Sequence, residues 1–287
     1  SEDNGATWQE FQALEYEHSP GCILTDLVLD PQDPQRLYIT TYGGLFISED
    51  SGQSWREAAL PPCPLGQKLL VAEPGGGKSL SRLYLACAGE SGATTSTPIL
   101  RSDDSGATWR EPNDEPLPGG ARTLALLPGE PAILLLATDR GLYRSPDRAE
   151  HWAPVADTRD VAGATVLLAH PDRAGMVFAA TGHGLYVSHD AGEHWELTSA
   201  GLPPNSKLQT LATLPLRPGV IYTGLQWGDT GSGQQLVSLL HSDDGGQSWR
   251  TLATGPWGDV RALAIHPQRP DNLFAATSQG LAWSNDG

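Results

Sequence analysis

Short apolar runs alternate with turns along almost the whole chain. One set ends in a proline turn: LVLDP (27–31), LVAEP (70–74), LLAHP (167–171) and LAIHP (263–267). A second set follows closely, as RLYITTY (36–42), MVFAATG (176–182) and NLFAATS (272–278). A third opens on glycine and ends on serine: GLFIS (44–48), GLYRS (141–145), GLYVS (184–188) and GLAWS (280–284). Apolar runs this short, bounded by Gly and Pro, read as strands. No long stretch carries the 3.6-residue apolar period of a helix.

After the third run one octapeptide recurs: SEDNGATW (1–8), SEDSGQSW (48–55), SDDSGATW (102–109), SPDRAEHW (145–152), SHDAGEHW (188–195) and SDDGGQSW (242–249). A further copy opens at SNDG (284–287). Ala149 replaces the glycine of the fourth copy, and His151 and His194 replace the hydroxyl residue of the fourth and fifth. Each position has a mechanical reason. The Asp carboxylate accepts backbone N–H groups of a tight loop, the Ser hydroxyl and the Gly complete the turn, and the Trp starts a fourth strand. Asp3, Asp50, Asp104, Asp147, Asp190 and Asp244 therefore read as structural, not as catalytic acids or calcium ligands.

Successive octapeptide Asp residues lie about 42 to 54 residues apart, the size of a propeller blade. Six intervals give six blades. The expected fold is all-β: a six-bladed β-propeller of four-stranded antiparallel blades, with 1–287 as a single domain. Blades fall near 9–55, 56–109, 110–152, 153–195, 196–249, and 250–287 plus 1–8. The N-terminal strand from Trp8 is expected to pair with 280–284 and close the ring, covering edges that would otherwise be open.

Composition agrees with a soluble globular chain: 39% apolar, 18% charged, with 33 Gly and 23 Pro to supply the turns. The formal charge of −16, from 34 acidic against 18 basic residues, argues against nucleic acid and anionic membrane surfaces as partners. No apolar run is long enough for a membrane span. A start at Ser1 fits removal of a leader, so a secreted or periplasmic location is favoured over a cytoplasmic one; a monomer is expected. The three cysteines, Cys22, Cys63 and Cys87, exclude a four-Cys zinc site. Cys22 and Cys63 precede innermost strands of adjacent blades and are candidates for a disulfide. Cys87 lies within a strand and is expected to be a buried free thiol.

Two stretches exceed the minimum repeat, GESGATTSTP (89–98) and GLQWGDTGSGQQ (224–235), both between second and third strands. Aligning the innermost strands on their proline turns brings Thr25, Lys68, Arg122, Thr165, Gln209 and Arg261 to one equivalent position per blade. Strand alternation puts all six on one side. Facing the axis, they would ring the channel mouth with three cations and three neutral polar groups, a seat for a carboxylate or other anionic small molecule. Tyr42, Trp227 and Trp257 add aromatic surface to the same face. His170 and His266 stand where other blades have Asp30 and Glu73, which reads as turn capping. No metal site or cofactor motif is present.

The octapeptides, with the stretch LDPQDPQRLYITTYGGLFISEDSGQSW (29–55), resemble the BNR/Asp-box superfamily across essentially the whole chain. That superfamily includes sialidases, the propellers of xyloglucan-active glycoside hydrolases, sortilin-type receptors and photosystem II assembly-factor-like proteins. The resemblance implies a propeller fold and leaves the chemistry open. Sialidases carry a Phe/Tyr-Arg-Ile-Pro signature; here the nearest string, Tyr143-Arg144-Ser145-Pro146, runs into an octapeptide. Lys68, Arg122 and Arg261 match an arginine triad in charge only, because Lys lacks the bidentate fork. No catalytic residue carries over. The expected function is a non-catalytic propeller that binds a protein or carbohydrate at the loop-rich face. The alternative is a glycoside hydrolase, sialidase-like or xyloglucanase-like, with a diverged site.

Overall fold

The computed structural model describes residues 24–63, 66–75, 80–89, 96–112, 115–156, 160–198, 201–202, 206–214, 217–227, 236–255, 259–266 and 269–286. All regular structure in these residues is β, and neighbouring strands pair antiparallel in chain order. The strands form two compact units, Ser1–Gly120 and Ala121–Gly287.

The first unit holds two sheets. Sheet 1 is β1 (Leu24–Leu29), β2 (Leu37–Thr41), β3 (Leu45–Ser48) and β4 (Arg56–Glu57). Sheet 2 is built on β5 (Gln67–Pro74), β6 (Ser81–Gly89) and, after the short β7 (Ser96–Thr97), β8 (Ile99–Ser102). Its fourth position is a single bridge, Arg101 to Arg110. β7 pairs with β9 (Leu117–Pro118), and the Thr97 hydroxyl donates to Gly119 O at 2.8 Å.

The second unit holds four sheets. Sheet 3 is β10 (Ala121–Leu127), β11 (Ile133–Thr138), β12 (Gly141–Ser145) and β13 (Ala153–Pro154). Sheet 4 is β14 (Val166–Ala169), β15 (Val177–Thr181), β16 (Gly184–Ser188) and β17 (Glu196–Leu197). Sheet 5 is β18 (Lys207–Leu214), β19 (Arg217–Trp227), β20 (Leu236–Ser242) and β21 (Arg250–Gly255). Sheet 6 has three described strands, β22 (Val260–His266), β23 (Arg269–Thr277) and β24 (Gly280–Ser284). Within this unit the first strands of successive sheets are neighbours, β10 against β14, β14 against β18 and β18 against β22.

Six antiparallel blades of this kind are the expected all-β, six-bladed propeller. The expected closing strand from Trp8 lies outside the described residues, as do Asp3 and Cys22.

The apolar core lies between blades rather than inside them, because each sheet has two faces to cover. Tyr38, Leu45 and Ile47 of sheet 1 pack with Leu70, Leu83 and Leu85 of sheet 2. Leu135, Ala137 and Leu142 of sheet 3 meet Val177 and Ala179 of sheet 4. Phe178 and Leu185 meet Leu211, Ile221 and Leu240 of sheet 5, and Tyr222 meets Leu273 of sheet 6. This is why the second strand of each blade reads as a continuous apolar run rather than an alternating one.

One expectation is overturned. Cys87 is not a free thiol: it forms a disulfide with Cys63, with the Cα atoms 5.5 Å apart. Cys87 lies in the apolar layer between sheets 1 and 2, and Cys63, from the segment leading into β5, packs against the same layer. With the Cys63 sulfur committed there, a Cys22–Cys63 bond is excluded.

Candidate functional site

The octapeptide turns share one hydrogen-bond scheme. In the second copy, Ser48 Oγ donates to Asp50 Oδ1 at 2.8 Å and accepts the Gly52 amide at 2.8 Å. Asp50 also accepts the Ser54 amide and hydroxyl at 2.8 and 2.5 Å. The Trp55 indole N–H donates to Gly52 O at 3.1 Å. Asp104, Asp190 and Asp244 repeat the pattern. Asp147 does so with Ser145 and the His151 amide. These donors hold the carboxyls of Asp50, Asp190 and Asp244 down to about 2. Carboxylates so fully engaged have little left to offer a substrate. In the fourth and fifth copies the imidazole takes over the hydroxyl's part, with His151 Nδ1 and His194 Nδ1 each 2.6 Å from an Asp Oδ2.

A different device shapes the first strands. Leu24 pairs with Thr41 and Asp26 with Thr40, which leaves Thr25 as an extra residue in β1. Arg122 is the extra residue between Ala121 and Thr123 in β10, Gln209 between Leu208 and Thr210 in β18, and Arg261 between Val260 and Ala262 in β22. Thr165 stands just before β14, its amide donating to Ala180 O, while Val166 also pairs with Ala180. A bulge at the start of a strand re-aims the side chain it carries. Four of the residues aligned in sequence, Thr25, Arg122, Gln209 and Arg261, are thus the bulge residues of their blades.

Lys68 departs from that rule. In sheet 2, Gln67 pairs with Gly89 and Lys68 with Cys87, so the extra residue, Ala88, is on the partner strand. Lys68 stays in register and is 1% exposed. Its Nζ donates to Tyr42 O at 2.8 Å and Gly66 O at 3.3 Å, and burial pulls its pKa down. The ammonium ties two loops together and is spent on backbone carbonyls. Thr25 is likewise engaged in the first unit, with Thr40 Oγ1 at 2.8 Å. The Tyr42 ring is exposed there.

In the second unit the four equivalent residues, Arg122, Thr165, Gln209 and Arg261, line one cavity of about 620 Å³. Lys207, two residues before Gln209 on β18, joins them, with Gln226 of β19 and Asp259 just before β22. Arg122 extends over Gly163, whose φ of 75° opens the turn before β14. Gln209 Oε1 accepts the Val260 amide at 3.0 Å. Gln226 Nε2 donates to Asp259 Oδ1 at 3.2 Å.

The cavity therefore carries three cations and one carboxylate in a chain whose net charge is −16. Among the described residues, Arg122, Lys207 and Arg261 make no ion pair. Like charges that line one cavity repel one another, so a neutralising partner is favoured. All three are exposed, so water screens part of this.

Lys207 was not singled out by the sequence alignment, although strand alternation places it on the same side as Gln209. Trp227 ends β19 beside the cavity-lining Gln226. Trp257 and most of the 89–98 and 224–235 stretches lie outside the described residues, but both stretches do connect second to third strands. His170 caps its turn, with Nδ1 accepting the Asp172 and Arg173 amides at 3.1 Å each. His266 Nδ1 accepts the Arg269 amide at 3.2 Å. No group of three or more potential metal ligands occurs among the described residues, and no helix there is long and apolar enough to cross a membrane.

No protein-family model and no curated protein matches this sequence. Solved structures do match in fold. A GH74 xyloglucanase from Xanthomonas campestris superposes with a TM-score of 0.59 at 21% identity, over 93% of this chain and 52% of that one. An ancestral GH74 enzyme gives 0.69 at 15% identity, over 92% of this chain and 37% of that one. YCF48 bound to D1 peptide gives 0.52 at 16% identity, over 92% and 93%. The chain thus spans about half or less of the two GH74 enzymes. At these identities the likeness shows the β-propeller fold alone.

Proposed function

We propose that this chain is a non-catalytic Asp-box propeller that binds a protein or carbohydrate ligand at the bulge-lined cavity of sheets 3 to 6. One observation carries the reading: bulges in three first strands deliver Arg122, Gln209 and Arg261 to one cavity of about 620 Å³, where Thr165 joins them from the residue before β14. Sites of about 300–1,000 Å³ with a few converging polar groups are the usual size for ligand binding. Most glycoside hydrolases use two facing carboxyl groups, and among the described lining residues Asp259 is the one carboxylate. Structural neighbours of both kinds exist: the Xanthomonas campestris GH74 enzyme is a xyloglucanase, and YCF48 is bound to D1 peptide.

The test has two arms. Immobilised protein is challenged with a panel of polysaccharides, xyloglucan included, and with peptides. The same mixtures are assayed for released reducing ends. Retention that falls at least tenfold in the Arg122→Ala/Arg261→Ala double variant, without turnover, supports the reading. Turnover of any glycan by the parent protein overturns it in favour of a glycoside hydrolase.

A further inference from the structure

We infer that the ligand recognised in this cavity is a carboxylate that also carries hydrogen-bond donors. This rests on the reading of the cavity as the ligand site and adds the chemistry of what fills it.

The cations set the first requirement. Arg122 and Arg261 come from bulges on β10 and β22, and Lys207 from the start of β18 between them in sheet order. Among the described residues these three cations make no ion pair, so an anion entering the cavity meets charges not engaged by the chain's own acids. Guanidinium groups present a planar fork that matches a carboxylate in two parallel hydrogen bonds, and an ammonium adds a movable third contact.

Asp259 sets the second. Its Oδ1 accepts from Gln226, and among the described residues no donor reaches Oδ2. A carboxylate oxygen facing the same space repels a dianion such as phosphate more than a monoanion, and it accepts from a ligand hydroxyl or amide N–H. Thr165 and Gln209 add polar groups to the same lining. A bare inorganic anion uses only half of this lining. A hydroxylated acid or an acidic amino-acid residue uses both halves.

Calorimetric titration separates the sources of such a carboxylate. The probes are D-glucuronate against D-glucose, N-acetyl-glutamate amide against N-acetyl-glutamine amide, and inorganic phosphate. The acidic member of at least one pair is expected to bind, its neutral counterpart and phosphate at least tenfold more weakly. Binding should weaken as salt shortens the screening length toward about 8 Å. Arg122→Gln and Arg261→Gln should each lower affinity about tenfold or more, and Lys207→Gln by less, all with unchanged melting temperature.

Equal binding of acid and neutral member, lost in the double arginine variant, overturns the carboxylate inference and leaves the cavity as the ligand site. Undiminished binding of the acids by that double variant overturns both. Preference for phosphate, or failure of both acids to bind, overturns the inference alone, since the retention assay above then decides the broader reading.

Discussion

The Val260 amide donates to Gln209 Oε1 at 3.0 Å, so the bulge residue of one blade holds the residue immediately before the bulge of the next. A similar tie joins the Thr123 hydroxyl of β10 to the Leu167 amide of β14 at 3.2 Å. A bulge breaks ladder hydrogen bonds, and the Gln209 side chain satisfies the amide beside the bulge of β22. The site is therefore supported by its own neighbours rather than by loops alone. Gln209→Leu should destabilise by about 1–2 kcal/mol, because the buried Val260 amide loses its acceptor. Chemical denaturation measures the loss, and hydrogen exchange at Val260 should rise well above that of the rest of β22.

Asp104→Ala should destabilise by about 1–3 kcal/mol, by leaving turn N–H groups without an acceptor, and should leave ligand binding unchanged. Loss of binding at an unaltered melting temperature would place the octapeptide turns in the ligand site instead.

The fold and the candidate site were not equally legible in the sequence. Blade order followed from the octapeptides because the turn keeps its Ser, Asp and Trp in every full copy and departs from its Gly and hydroxyl residue only at Ala149, His151 and His194. The equivalence of Arg122, Gln209 and Arg261 also followed, from their distance to the proline turns. What misplaced Lys68 is a bulge on its partner strand at Ala88, which leaves no mark on the spacing within β5. Cys87 was misread because strand position alone does not say which sulfur shares its apolar layer, and Cys63 reaches that layer from a loop.

Protonation equilibria on the turns give a pH signature. Hydrogen bonding and charge from Asp190 raise the pKa of His194. A raised folded value means the His194–Asp190 contribution to stability is fully present below the unfolded value near 6.5 and is lost as pH rises through the folded value. The Asp carboxyls run the other way: held near 2, Asp50 and Asp244 contribute above the unfolded carboxyl value and lose that contribution as pH falls toward 2. NMR titration of the His194 ring should give a pKa above that of a free histidine, and Asp190→Asn should return it to the ordinary range.

Ala149 has a φ of 69° where the other described copies have glycine, and its side chain is fully buried. The left-handed region costs an L-residue about 1 kcal/mol or more, partly offset by the greater chain entropy of glycine. Ala149→Gly should therefore raise stability by a few tenths to about 1 kcal/mol, read from a denaturation midpoint. A loss of stability would mean that the Ala149 methyl contributes more in packing than its backbone costs.

The Cys63–Cys87 bond closes a sequence separation of 24 residues. Closure of a loop that size is worth about 3 kcal/mol by chain entropy. Cys63→Ser should lower stability by an amount of that order, and mass mapping of the parent should find Cys22 alone alkylated without reduction.

A crystal structure grown with D-glucuronate, and a second grown with N-acetyl-glutamate amide, would test the central claim most directly. The account predicts ligand density in the cavity of sheets 3 to 6 in at least one of them, with the carboxylate against Arg122 or Arg261 and a donor toward Asp259. Ordered ligand at another surface, with this cavity holding only water in both crystals, would contradict it.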